Sequence, residues 1–228
     1  MPNLHLFAAR IAPVIDAAHV NLHAAARPGF EHPAFTPGFL VDLRSTLPLR
    51  PLTRAGLSTI YRYTKPADLA EEVAVHLAQG TLKETDALHP TPKTTAFIRA
   101  LYAHHEATAA RIWPDVTRLA AQVARVLAAA PRRPGGALEL MAPPYEPPGA
   151  APGLLLFNRL AVLRYSRADA HAAAWRAAGL TAGEVVNLRE GPLHAEIEHA
   201  TNVAAAEPYK VLTDEERAEL HTGLSTLI

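Results

Sequence analysis

Apolar residues recur at three- and four-residue steps along most of this chain. Leu4, Phe7, Ile11, Val14, Ile15, Ala18 and Leu22 form one such stripe and predict an amphipathic helix over 4–26. Pro13 marks a kink or the true start of that helix. Pro28, Gly29, Pro33 and Pro37 predict a loop over 27–37, and Phe39–Val41 is a short apolar run that suits a strand or a helix. Leu52 to Tyr63 reads as a short helix, Thr64-Lys65-Pro66 as a turn, and Ala67 to Gln79 as a second helix. Pro66 fits its first turn and Gly80 its C-cap. Residues 81–90 predict two short strands around Glu84-Thr85-Asp86, and a long helix opens at Thr91 or Pro92 and runs to Arg111. Pro114 starts or kinks a helix to Ala130 with the stripe Val116, Leu119, Val123 and Leu127. The Pro- and Gly-rich stretch 131–153 reads as an exposed connector or an ordered lid, outside the core. Helices follow over Leu154–Ala178, from Thr181 to Leu188 and from Pro192 to Ala206. Thr213-Asp-Glu-Glu216 is a capping-box start for the last one.

The pattern predicts a mainly α protein with a small β-hairpin. Residues 1–130 form a helical body containing a winged helix-turn-helix-like element at 47–105. Residues 131–153 link it to a C-terminal helical segment, 154–228, that packs on the first as a helical bundle. Nearly half of the 228 residues are apolar, enough for a sizeable core. The absence of cysteine excludes disulfides, thiol nucleophiles and Cys-ligated zinc. No apolar run approaches the roughly 20 residues of a membrane span, and the start lacks signal-peptide features, so the expected location is cytoplasmic with no membrane partner. Nucleotide-binding glycine motifs, the nucleophile elbow and the His-Glu-x-x-His zinc motif are missing, and no local motif argues for catalysis or names a cofactor.

The order short helix, turn, second helix, hairpin, long helix is that of a winged helix, whose second helix docks in the major groove. Arg44, Arg50, Arg54, Arg62 and Lys65 make the most basic stretch of a chain whose net charge is zero. Arg50, Arg54, Arg62 and Lys65 are the candidates for phosphate contacts, and Thr53, Ser58 and Thr59 for polar readers of base edges. Against this, the recognition-helix position carries Asp68, Glu71 and Glu72 and no cation. Alanine-rich helices with Leu/Val stripes invite a homodimer, which suits palindromic double-stranded DNA.

Histidine supplies the other candidate chemistry. Asp16, His19 and His23 fall on one helical face at a spacing that can ligate a metal, or that simply forms a polar edge. His104 and His105 point to different sides of their helix, so one at most joins a site, and Glu106 could orient an imidazole. Arg167 and His171 lie one turn apart, as do His171 and Trp175, while Asp169 faces elsewhere. This set either fixes helix packing or uses Arg167 to hold an anionic ligand and His171 as acid or base.

The series Arg167-x-Asp169-x-His171-x-x-x-Trp175 resembles the matching helix of a group of bacterial helix-turn-helix proteins common in actinobacteria. Glu196-Ile-Glu198-His-Ala-Thr-Asn202 with Pro208-Tyr209 is similar to that group's C-terminal pattern, and residues 52–105 to its N-terminal winged helix. The resemblance implies a winged-helix fold and a regulator-like role. The chain departs from the group after Gly179-Leu180-Thr181, where a second winged-helix segment is missing. The leading expectation is a winged-helix, regulator-like DNA-binding protein. The alternatives are a helical ligand- or metal-binding protein or enzyme using clustered histidines, and a structural or interaction protein with a degenerate winged helix.

Overall fold

The computed structural model describes residues 3–28 and 38–228; apart from Arg27 and Pro28, the loop expected over 27–37 lies outside them. The described chain is mainly helical, with one two-stranded antiparallel sheet. Its axis is α8 (Pro152–Ala177), whose first half buries Leu154, Leu156, Phe157, Leu160, Val162 and Leu163 on all sides. A helix buried all round shows no single apolar stripe and sits centrally. Around it stand α1 (Leu4–Ala26), α5 (Pro92–Ile112), α6 (Thr117–Ala129), α7 (Ala137–Met141) and α10 (Pro192–Ala205). Helix α11 (Asp214–Ser225) closes over α1 and α6. Gly153 lets α8 approach α5, since a Cβ there would lie 2.9 Å from Ala109 Cβ. One connected apolar core runs from Phe7 to Leu227, so the two segments expected on either side of residues 131–153 share it.

Several local signals act as the residues require. Helix α1 runs unbroken through Pro13. Residues 39–41 lie in α2 (Gly38–Asp42), which continues into a 3-10 turn, Leu43–Ser45. The Thr53 side chain accepts from Gly56 N and starts α3 (Arg54–Ile60). Pro66 opens α4 (Pro66–Ala78), and Gly80 adopts φ +65 beyond its end. Strands β1 (Leu82–Glu84) and β2 (Leu88–Pro90) pair with Leu82 opposite Pro90, and Leu52 adds a bridge to Leu88. Capping boxes at Thr181 and Thr213 start α9 (Ala182–Val186) and α11. No helix among the described residues is long and apolar enough to cross a membrane.

The exposed-connector reading of 131–153 needs correction. That stretch contains α7, and Leu138 and Met141 are in the core. The cause is a carboxylate about thirty residues away. Asp169 of α8 accepts from Ala137 N and Leu138 N at 2.9 Å each, satisfying the free N–H groups that begin α7. Gly136 makes the approach feasible, because a Cβ there would stand 2.6 Å from Asp169 Oδ2.

Candidate functional site: a cleft beside α8 and a buried histidine centre

The second half of the central helix is polar, and buried polar groups need partners. Asp169 takes Arg62 in addition to the two α7 amides: Arg62 Nη2 pairs with Asp169 Oδ1, Nη1 donates to Ala168 O at 3.2 Å, and Nε donates to Thr59 O at 3.0 Å. Arg62 belongs to the turn between α3 and α4. Its neighbour Tyr63 also turns inward. Trp175 Nε1 donates to Tyr63 Oη at 3.2 Å, and Tyr63 Oη lies 2.8 Å from His171 Nδ1. An indole N–H only donates, so the Tyr63 oxygen accepts from Trp175, while the direction of its hydrogen bond with His171 Nδ1 is set by the imidazole tautomer. His171 Nε2, the other ring nitrogen, faces Glu198 Oε1 at 3.8 Å. Arg167 holds that carboxylate in place, donating to Glu198 Oε2 at 3.0 Å and to Asn202 Oδ1 at 2.7 Å. Burial lowers the His171 pKa, and Glu198 partly opposes the shift.

These groups edge a cleft of about 380 Å³ between α1, α8 and α10. Tyr63, Arg167, His171 and Glu198 line one side, and Asp16 and Arg164 the other, with Ala8, Ala12 and Tyr209 supplying apolar wall. Its size and mixed lining are those of a small-molecule site. Arg167 and His171, one turn apart on α8, both line the cleft, and Arg167 donates to Glu198 and Asn202 and so positions that carboxylate. Asp169 faces α7 and Arg62 and takes no part in the cleft wall.

The residues expected at phosphates are placed as follows. Arg50 donates to the carbonyls of Leu140, Ala142 and Pro143. Arg54 grips Glu84 of β1 with Nε and Nη2, both at 2.7 Å. The Arg62 side chain is 7% exposed in its pair with Asp169. Lys65 is exposed, as is Ser58, whose hydroxyl donates to Arg54 O at 3.1 Å; Thr59 is half-buried.

No family model, curated protein or solved structure matches this chain.

Behind the cleft, three histidines from two helices gather around the buried ring of Phe157. His19 stacks on it at 4.9 Å between centroids, His23 meets it edgewise at 5.0 Å and His105 at 4.7 Å. Arg44, in the 3-10 turn, lies with its guanidinium carbon 4.7 Å from the same ring centre. Only one of the two adjacent histidines of α5 joins: His104 Nε2 donates to Ala26 O at 2.6 Å instead. Glu106 accepts from Ala151 N at 2.6 Å, at the start of α8. Asp16 and His19 are both engaged by Arg164, at 2.5 Å to Asp16 Oδ1 and 3.2 Å to His19 Nδ1, so a cation already sits between two of the three expected metal ligands, Asp16, His19 and His23. Among the described residues no group of three His, Cys, Asp or Glu side chains is arranged to hold a metal ion. Tyr63 and Glu198 were invisible as site residues in the sequence because no local spacing links them to α8; Arg164 stands on α8 itself, three residues before Arg167, and that helical spacing is the signal that could have found it. The His23–His105 meeting, with centroids 5.3 Å apart, is likewise a product of helix packing.

Burial, and then the charge of Arg44, hold His23 down to about 3 and His105 to about 2, and push His19 far below its ordinary value. The unfolded chain takes up these protons below about pH 6.5, whereas the fold does not. The stability contributed by the neutral imidazoles is therefore complete above that pH and is lost as pH falls toward the folded values, with His171 adding in the same direction. Urea unfolding should show stability falling on the order of 1 kcal/mol per histidine for each pH unit below about 6.5. His105→Phe should make the slope shallower, and a flat profile between pH of about 7.5 and 5.5 would contradict the buried neutral centre.

Proposed function

We propose that the cleft beside α8 binds a small polar molecule, and that the turn between α3 and α4 senses it. The observation that carries this reading is Tyr63. It is 42% exposed, lines the cleft and bonds both His171 and Trp175. A ligand that takes a hydrogen bond from Tyr63 or His171 disturbs a residue that is covalently part of the helix-turn-helix segment. Arg62, one residue earlier, fastens the same turn to Asp169. The segment whose cations suggested phosphate contact thus directs two of its side chains at α8. This is the ligand-binding alternative of the sequence reading, carried on a winged-helix-like frame.

A thermal-shift screen of small carboxylic acids, amines and heteroaromatics tests it. A ligand at about 100 times its Kd should raise Tm by roughly 5–10 °C in a chain of this size. His171→Ala should lose at least about half of that rise. No stabilising compound, or hits equally effective on His171→Ala, would count against the cleft.

A second reading, a winged-helix protein that binds duplex DNA, is supported by one observation. The α3–turn–α4–hairpin order is completed by the Leu52–Leu88 bridge, which sets a third extended segment against the hairpin. On this reading Lys65 and Arg54 contact phosphate, with Arg54 released from Glu84. Fluorescence anisotropy with mixed-sequence duplex should then show binding that weakens with salt. Each lost phosphate contact should reduce the log–log salt slope by about 0.9, so Arg54→Ala with Lys65→Ala should reduce it by about 2. No binding at low salt, or an unchanged slope in the double variant, removes this reading.

A further inference from the structure

Arg44 leaves one edge of its guanidinium unused. The residue is 2% exposed, and Nη1 donates to Val41 O at 2.6 Å, but Nε and Nη2 are buried without a partner. Those two N–H groups lie side by side and match the two oxygens of a carboxylate. This chain uses the same edge twice for that purpose. Arg54 holds Glu84 through Nε and Nη2, and Arg159 holds Glu146 through the same pair at 2.7 and 2.8 Å. Arg44 presents the fork with no carboxylate on it.

A second unspent donor belongs to the same buried centre. Arg164 can only donate, so His19 Nδ1 accepts from it and the His19 proton sits on Nε2. That Nε2 is buried and has no partner. A guanidinium keeps its charge at any ordinary pH, and Asp42, the carboxylate that acts on Arg44 through space, makes no direct ion pair with it, so the buried fork stays without acceptor oxygens. The lack is therefore of acceptor oxygens. A metal ion fits poorly, since Arg44 repels it and the free His19 nitrogen carries a proton.

We propose that Arg44 anchors a binding site for the carboxylate group of a small ligand, in the centre formed with His19 around Phe157. Arg164 connects this site to the cleft. It lines the cleft and touches His19, and its side chain is 42% exposed, so it is the link between the cleft wall and the buried centre. The site is independent of Tyr63 and His171, and stands whether or not the cleft reading holds.

The test uses sodium acetate and sodium benzoate as probes, against sodium chloride at matched ionic strength and neutral pH. Tm of the wild-type chain should rise by at least about 2 °C more with one of the carboxylates than with chloride at about 50 mM. Arg44→Met keeps the stem's bulk and removes the unpaired charge. It should melt at or above the wild-type temperature and lose the carboxylate response. Arg167→Gln should keep the response, which separates this site from the far wall of the cleft. If Arg44→Met does not fold, wild-type NMR decides: a slowly exchanging arginine Nε–H resonance should shift on acetate titration. The proposal is overturned if carboxylates stabilise no more than chloride, if Arg44→Met still responds, if no such resonance moves, or if zinc ions stabilise the chain in place of carboxylates.

Discussion

The carboxylate of Asp169 is the constraint on which the rest of the arrangement depends. It is buried on the central helix, where an ionised group is tolerated only with partners on all its lone pairs. Three partners come from two places: Arg62 in the turn after α3, and the two amides that begin α7. Satisfying one side chain therefore fixes the turn between α3 and α4, the Pro/Gly-rich stretch and α8 relative to one another. Tyr63 follows from Arg62 by a single peptide unit. Once the arginine is drawn in, the tyrosine is delivered to His171 and Trp175 and lines the cleft.

Much of the fold was legible because its signals are local. Helical stripes, Pro66, Gly80 and the Thr213 capping box act within a few residues of themselves, and each element stands where those residues require it. The hairpin at 82–90 was legible for the same reason, with Thr85-Asp86-Ala87 at its tip. Helical spacing also placed Arg167 and His171 on one face and Asp169 on another. The 131–153 stretch was misread because its order comes from Asp169, and composition carries no trace of a distant cap.

The candidate site was harder to see for a physical reason. Charge belongs to a side chain, whereas its counter-ion is set by the fold. Arg50, Arg54 and Arg62 make a basic run in sequence, yet the fold gives each an internal acceptor, in the case of Arg62 one 107 residues away. Arg44, in the same run, is the one left with an open fork. The three histidines around Phe157 come from α1 and α5, and only the packing of both against α8 brings them to one ring. Within this run of arginines the charges are taken up by internal acceptors, and the buried fork of Arg44 is the departure.

The inward clamp is tested most directly by a double-mutant cycle on Arg62→Met and Asp169→Asn, followed by urea unfolding. Each single substitution leaves a buried polar group without its partner and should cost about 3–5 kcal/mol. The double should cost far less than their sum, with a coupling of at least about 2 kcal/mol. Additive effects, within about 0.5 kcal/mol, would mean that Arg62 and Asp169 do not hold the turn to the central helix, and the account built on that contact would fall.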